Sequence, residues 1–239
     1  MSLVRKKLGN LLTRARLRGK DLADPARANL AALENLSTSR PARDFRYVVL
    51  DLETTGLDTT TDKVVAVGAV AVQGGRIVLG DYFHELVNPG RDIPAEAIKV
   101  HGITPDAIAR ARHGAVVIED FLSFLGPDIL VAHYARFDLH FINWVMRERY
   151  GLTLQNLVLD TVRMCQTVVL PSDPYGINRE RHKCSLESLA GRFGLRLEGR
   201  HTALGDAMVT ALIFQRMLDR LAQVGGGLLR DLIRVAELN

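Results

Sequence analysis

The sequence has little cysteine and no long apolar segment. No apolar run approaches the roughly 20 residues that a membrane-spanning helix needs, so a membrane-embedded protein is excluded. Cys165 and Cys184 match no metal-ligand spacing and are too few for a disulfide framework, so we expect a reducing, cytoplasmic compartment. The N-terminus also lacks the continuous apolar stretch of a secretory signal, which argues against export.

The composition is that of a globular protein. The chain is 47% hydrophobic and 24% charged, which excludes a wholly disordered or fibrous protein. Its 239 residues fit one core of roughly 150–190 residues with an appendage.

The positive charge is confined to one end of the chain. Residues 1–46 hold eleven Lys and Arg against four Asp and Glu, a net charge of +7, whereas the rest of the chain carries −3. A segregated basic segment predicts an anionic partner, with nucleic acid as the first candidate, although a solvated helix surface has the same composition. Residues 1–20 also resemble an organelle transit peptide, and a protein-docking arm is a further alternative.

The order of apolar patterns predicts an α/β fold. A short helix is expected over 21–35 and a linker over 37–43, followed by strands at 47–50, 63–72, 76–87, 128–132 and 157–159. Strands 63–72 and 76–87 form an antiparallel hairpin around Gly74 and Gly75. Helices are expected near 94–99, 105–111, 115–125, 137–149, 160–169, 185–192, 203–221 and 228–237. We therefore predict a mixed five-stranded sheet flanked by helices, with a basic helical extension over 1–43, a main domain over 44–222 and a short C-terminal helix over 223–239.

Acidic residues end the first predicted strand. Asp51 and Glu53 are two residues apart and so point to the same face, where two carboxylates repel each other unless a cation lies between them. A hard divalent metal is the natural ligand for such a pair, and Gly56 lets the following backbone turn sharply. Surface strands also carry such pairs by chance.

Two further clusters follow later strands. Asp138 lies in the first turn of the predicted helix 137–149, where it also suits the helix dipole, and Phe137 could belong either to the core or to a base-stacking surface. His201 and Asp206 are five residues apart and cannot share a helical face. If both serve one site, His201 lies in the loop before the helix and Asp206 inside it; otherwise His201 is an exposed loop residue.

Together these motifs resemble the DEDD 3′–5′ exonucleases of the histidine subclass, the DnaQ-like family that includes the proofreading epsilon subunit of bacterial DNA polymerase III. The three motifs stand at 49–57 (VLDLETTGL), 132–138 (AHYARFD) and 201–207 (HTALGDA), and 100–104 (VHGIT) and 183–190 (KCSLESLA) are similar as well. Family members carry Asn where this chain has Tyr134. The tyrosine subclass has a Tyr four residues before the last Asp, a position that Thr202 occupies here.

The resemblance implies an RNase H-like fold and a metal-dependent 3′–5′ exonuclease that uses two divalent cations, Mg²⁺ or Mn²⁺. It implies that Asp51, Glu53 and Asp206 hold the first ion, that Asp138 helps to hold the second, and that His201 acts as general base. By the same resemblance the terminal nucleotide is bound by Thr54, Thr55, His101 and Phe137. Asp160, which ends the fifth strand, is expected to be structural.

The nucleic-acid substrate is left open by the sequence. The resemblance favours release of 5′-mononucleotides from single-stranded or frayed DNA 3′ ends, in proofreading or repair. The alternative is an RNA 3′–5′ exonuclease similar to oligoribonuclease or RNase T, since the carboxylates do not distinguish ribose from deoxyribose. A non-catalytic nucleic-acid-binding module is the third interpretation, which the presence of all four carboxylates and the histidine disfavours.

Overall fold

The computed structural model describes residues 7, 9–11, 13, 24–34, 36–170 and 181–238. Within this part, a mixed sheet of six strands forms the centre of the fold, in the order β4-β3-β2-β1-β5-β6. The strands are β1 Tyr47–Thr54, β2 Val64–Gln73, β3 Arg76–Asn88, β4 Arg112–His113, β5 Ile129–Ala132 and β6 Val158–Asp160.

The pairing of the strands is antiparallel between β1 and β2 and between β2 and β3, and parallel elsewhere in the sheet. The predicted mixed α/β sheet is confirmed, but the predicted count of five strands is wrong. The missed strand, β4, has only two residues, Arg112 and His113, and both are exposed. Such a strand has no alternating apolar pattern that could indicate it.

Nine α-helices occupy the described part of the chain. They are α1 Asp24–Ala31, α2 Ala95–His101, α3 Pro105–Ile108, α4 Gly114–Leu125, α5 Arg136–Tyr150, α6 Thr161–Met164, α7 Leu186–Phe193, α8 Ala203–Gln223 and α9 Leu229–Ala236. The helix predicted over 160–169 is α6 followed by a π-helical turn at Cys165–Val169, and short 3₁₀ turns lie at Ala42–Asp44 and Arg181–Cys184.

The sheet separates two apolar cores. Along β1, Tyr47 and Val49 pack into the core that contains α8 and α9, whereas Val48 and Leu50 pack into the core that contains α4 and α5. This is the period-two alternation of a strand that is covered on both faces. Odd-numbered residues of β1 therefore face α8, which decides the surroundings of Asp51 and Glu53.

Both ends of the described chain contribute to these cores. Ala26 and Leu30 of α1 pack on the α4–α5 side, and Leu229 and Leu232 of α9 pack on the α8 side. Pro41, within the expected linker, forms a β-bridge with Leu228. The domain boundaries at 43/44 and 222/223 stay predictions. Of residues 1–20, those described are helical, and the rest of the predicted amphipathic arm lies outside the described residues.

Cys165 and Cys184 are joined by a disulfide bond across 19 residues of sequence. The expectation of a reducing compartment, in which both thiols stay free, disagrees with this pairing. The cysteine count could not reveal the pairing, because the two residues approach each other only through the packing of the π-helical turn and the segment before α7. Among the described residues, no helix has the length and apolar character to cross a bilayer.

Candidate active site

Three strands end at the same edge of the sheet, where the site is built. β1, β5 and β6 run parallel, with Leu50 opposite Ala132 and Ala132 opposite Asp160. Asp51 and Glu53 lie near the C-terminal end of β1 and are partly buried on the α8 side. The prediction that both side chains share one face is therefore confirmed.

A glycine lets α8 approach this edge. Gly68 of β2 is paired with Asp51, and a Cβ atom at position 68 would overlap backbone atoms of Ala203 and Leu204. Only a residue without a side chain allows the first turn of α8 to come this close to the sheet. This close approach places Asp206, in that first turn, beside the carboxylates of β1.

The carboxylates of Asp51, Glu53 and Asp206 form a compact cluster. One ligand oxygen from each of them lies within 4.8 Å of the other two. Burial and the neighbouring carboxylates raise the pKa of Asp51 well above its usual range, and burial together with Asp206 raises the pKa of Glu53 to about 7. Buried acids that repel one another are strongly stabilised by a cation, so this donor set fits a hard divalent metal.

Asp138 reaches the site from the other face of the sheet. It lies in the first turn of α5, is buried, and is not one of the three tightly clustered carboxylates. Burial is the main reason that the pKa of Asp138 rises to about 8, with smaller contributions from Asp160 and Glu53. Asp160 accepts the N–H of Val162 at 2.8 Å and so caps α6, which agrees with the structural role expected for it.

His201 lies in the loop before α8, as the spacing predicts. Its backbone has φ of 59°, in the left-handed region that disfavours side-chain-bearing residues, and its N–H donates to Asp206 Oδ2 at 3.3 Å. Thr202 follows as the N-cap of α8 and accepts the N–H of Gly205 at 3.1 Å. The strained backbone is held by these bonds, and the exposed imidazole stands at the border of the carboxylate cluster.

Arg200 is a member of the site that the sequence analysis missed. Its guanidinium is mostly buried and forms ion pairs with both Asp206 and Glu187. It lowers the pKa of Asp51 and of Glu53, against the effect of burial. The one signal in the sequence is its position directly before His201, which does not reveal that it contacts an acid six residues later.

The turn after β1 is held by its own hydroxyl groups. Thr54 Oγ1 donates to the carbonyl of Gly56 at 2.6 Å, and Thr55 Oγ1 donates to Asp62 at 2.7 Å. The backbone of this turn, rather than its hydroxyl groups, is thus what a ligand can contact. Leu57, which follows, is 86% exposed and was also missed.

Two other residues predicted to bind the terminal nucleotide border the site. His101 is buried, and the pKa of His101 is lowered mainly by burial, while the neighbouring backbone of Thr54 opposes this shift. It lines a cavity of about 420 Å³ together with Glu198, Thr202 and Gly205. Phe137 is half-buried and packs edge-on against Phe141, with ring centroids 5.2 Å apart.

Known proteins similar to this chain are bacterial replication proteins. The chain is 34% identical over 193 residues to a PolC-type DNA polymerase III of Thermotoga maritima, 40% identical over 196 residues to a DNA polymerase III subunit epsilon-like protein of Rhodobacter capsulatus, and 34% identical over 178 residues to the DNA polymerase III subunit epsilon of Aquifex aeolicus. These alignments cover 81%, 80% and 74% of this chain. The chain spans 13% of the first relative, 26% of the second and 83% of the third.

Solved structures confirm the RNase H-like fold. The nuclease domain of 3'hExo, a DEDDh family member bound to rAMP, superposes with a TM-score of 0.62 at 16% identity, covering 79% of this chain and 97% of that one. Exonuclease X in complex with 5′ overhanging duplex DNA superposes with a TM-score of 0.59 at 23% identity, covering 79% and 98%. The family model described as "Exonuclease" matches residues 48–214, a range that contains every predicted site residue. With its three acidic motifs, this chain therefore belongs to the exonuclease family, as the motifs predicted.

Proposed function

We propose that this chain is a metal-dependent 3′–5′ exonuclease that releases 5′-mononucleotides from single-stranded or frayed DNA 3′ ends, in proofreading or repair. The observation that carries the proposal is the carboxylate cluster of Asp51, Glu53 and Asp206, within 4.8 Å, beside the loop that presents His201. Exonuclease-family membership supports the reaction, and the names of the bacterial relatives support DNA as the substrate.

The residues that would hold the metals are the clustered carboxylates and their buried neighbour on α5. Asp51, Glu53 and Asp206 would hold one divalent cation, Mg²⁺ or Mn²⁺, and Asp138 would help to hold a second. When bound, the two cations supply a nucleophile at neutral pH and offset the charge that builds up on phosphorus. The high pKa values of Glu53 and Asp138 mean that these carboxyls release protons when a cation binds.

His201 would act as the general base. Its imidazole is exposed at the border of the cluster, so it can accept a proton from an attacking water and pass it to solvent. The bond from the backbone N–H of His201 to Asp206 fixes the loop relative to the carboxylates without using the imidazole nitrogens. The base is therefore positioned by its main chain and keeps its side chain available.

The 3′-terminal nucleotide would lie between the Thr54–Thr55 turn, His101 and Phe137. The cavity lined by His101 and Thr202 lies on the α8 side of the sheet, and the partly exposed ring of Phe137 lies on α5. A closed pocket of this kind accepts a chain end rather than a continuous strand. For this reason we expect exonuclease activity and not internal cleavage.

RNA is the second candidate substrate. The carboxylates and His201 act on the phosphodiester and do not read the 2′-hydroxyl, and one structural neighbour is bound to rAMP. DNA and RNA versions of one oligonucleotide sequence, labelled at the 5′ end and incubated with Mg²⁺, distinguish the candidates. Preferential shortening of the DNA from its 3′ end supports the proposal, whereas preferential shortening of the RNA supports an RNA exonuclease.

The reaction itself is tested with blocked and circular strands. A circle and a 3′-phosphate-blocked strand should resist, EDTA should stop the reaction, and Asp51→Asn or Asp206→Asn should be inactive but folded. Glu148→Gln is a matched control, since Glu148 is exposed on α5 away from the cluster. Efficient cutting of a circle would show an endonuclease, and an active Asp51→Asn variant would contradict the assigned metal site.

A further inference from the structure

A second cavity lies beside the proposed site, on the α5 side of the sheet. It has a volume of about 130 Å³ and is bordered by Lys63, His113, His140 and Trp144, with Phe141 at its base. None of the predicted site residues lines it. We call this cavity the Trp144 groove.

The Trp144 groove is continuous with the site through the chain itself. Thr55 N–H donates to the Lys63 carbonyl at 2.8 Å, and Lys63 N–H donates to Thr55 Oγ1 at 3.1 Å. The turn that borders the carboxylates therefore also forms one wall of the groove.

An aromatic stripe joins the two places along α5. Phe137, Phe141 and Trp144 are spaced by four and three residues, so they lie on one face of the helix. Phe137 is the residue proposed to contact the terminal nucleotide, and Trp144 is seven residues further on, about 10 Å along the helix axis. A strand that leaves the terminal pocket along this face meets Trp144 next.

The chemistry of the groove suits a nucleotide. The Trp144 side chain is 45% exposed, and Lys63 Nζ lies 4.7 Å from its ring centroid. An exposed aromatic ring paired with a cation is the combination by which proteins bind single strands, because the ring stacks on a base and the cation contacts a phosphate.

We propose that the Trp144 groove is a second nucleotide subsite, which rests on the proposed exonuclease function. A base on the 5′ side of the terminal nucleotide packs against Trp144, and Lys63 contacts the adjoining phosphate. The subsite reads no sequence, since every base has a face to stack. It contributes to the binding of strands long enough to reach it and not to the chemistry at the chain end.

Trp144 is the one tryptophan of the sequence, so its fluorescence reports on this groove directly. We would titrate full-length Asp51→Asn protein with a dinucleotide and with an octanucleotide of single-stranded DNA. The octanucleotide should quench the emission, and the dinucleotide should not. In otherwise wild-type protein, Trp144→Ala should raise KM for the octanucleotide about tenfold, with kcat unchanged, and Trp144→Phe should restore most of the loss.

Lys63 and a control residue complete the test. Lys63→Gln should lower the slope of log K against log salt by about 0.7, the value for one phosphate contact on a single strand. Tyr82→Ala, which removes an exposed aromatic ring of β3 outside the groove, should change neither quantity. Unchanged emission with saturating octanucleotide, together with an unchanged KM in Trp144→Ala, overturns the subsite and leaves the exonuclease proposal intact. Quenching by the octanucleotide without hydrolysis by the wild type supports the subsite and refutes the proposed function.

Discussion

Replacing Glu53 by glutamine tests the acidic cluster through the stability of the metal-free protein. The pKa of Glu53 rises from 4.5 to about 7, first because of burial and then because Asp206 lies beside it. An acid with a higher pKa in the folded chain holds its proton more tightly there. Its stabilising contribution is therefore complete below about pH 4.5 and is lost as the pH rises through about 7. At about 1.36 kcal/mol for each pH unit, the free energy of unfolding falls by about 3 kcal/mol between these limits.

Glutamine has nearly the same shape and cannot ionise, so Glu53→Gln escapes this loss. In EDTA at pH 8 we expect the variant to be more stable than the wild type by up to about 3 kcal/mol, which for a chain of this size is a rise in Tm of roughly 6–12 °C. At pH 5 the difference should shrink to less than about 1 kcal/mol. Excess Mg²⁺ should raise the Tm of the wild type more than that of the variant, because the variant lacks one charged ligand.

The measurement is thermal unfolding followed by circular dichroism at both pH values, with EDTA and with Mg²⁺. Glu148→Gln, at an exposed position of α5, controls for the loss of one negative charge and should follow the wild type at each pH. A Glu53→Gln variant that is no more stable than the wild type at pH 8 would refute the reasoning, and so would a stability difference that does not depend on pH.

Three other perturbations follow from the structure. Arg200→Gln removes the guanidinium that pairs with Asp206, so Mn²⁺ should bind about tenfold more tightly in an electron paramagnetic resonance titration; weaker binding would show that Arg200 supports the site instead of competing for it. Gly68→Ala should cost more than about 3 kcal/mol of stability and abolish hydrolysis, because the new Cβ overlaps the start of α8, whereas Gly80→Ala meets nothing within 4 Å and should be silent in the same unfolding and activity assays. Glutamine at the four basic residues nearest the end of the arm should flatten the salt dependence of single-strand binding by about 0.7 for each phosphate that the arm no longer neutralises, and coinciding slopes would favour a protein-docking or targeting role; these residues are Arg14, Arg16, Arg18 and Lys20.

The features that the sequence determined by itself are local ones. Alternation along a strand placed Asp51 and Glu53 on one face, because side-chain direction there depends only on the position along the chain. The 3.6-residue period likewise placed Asp206 inside α8 and His201 outside it. The three motifs, in order and with their spacing, were enough to predict the exonuclease family and its mixed α/β sheet.

Only the tertiary structure decided which distant residues share the site. Gly68 lies against Ala203, and Arg200 joins Asp206 to Glu187, through the packing of α8 on the sheet. No periodicity carries such information, because each contact joins segments whose own patterns are complete without it.

The Trp144 groove shows the same division. The sequence shows an apolar stripe on α5 but cannot tell whether Trp144 is buried or exposed, since a helix face that meets the core and one that borders a groove have the same spacing. The turn that brings Lys63 over the indole ring is fixed by its bonds to Thr55, eight residues earlier in the chain. Local pattern determined the elements and their acidic residues, and the packing of those elements decided the surfaces between them, because such surfaces depend on residues that are far apart in sequence.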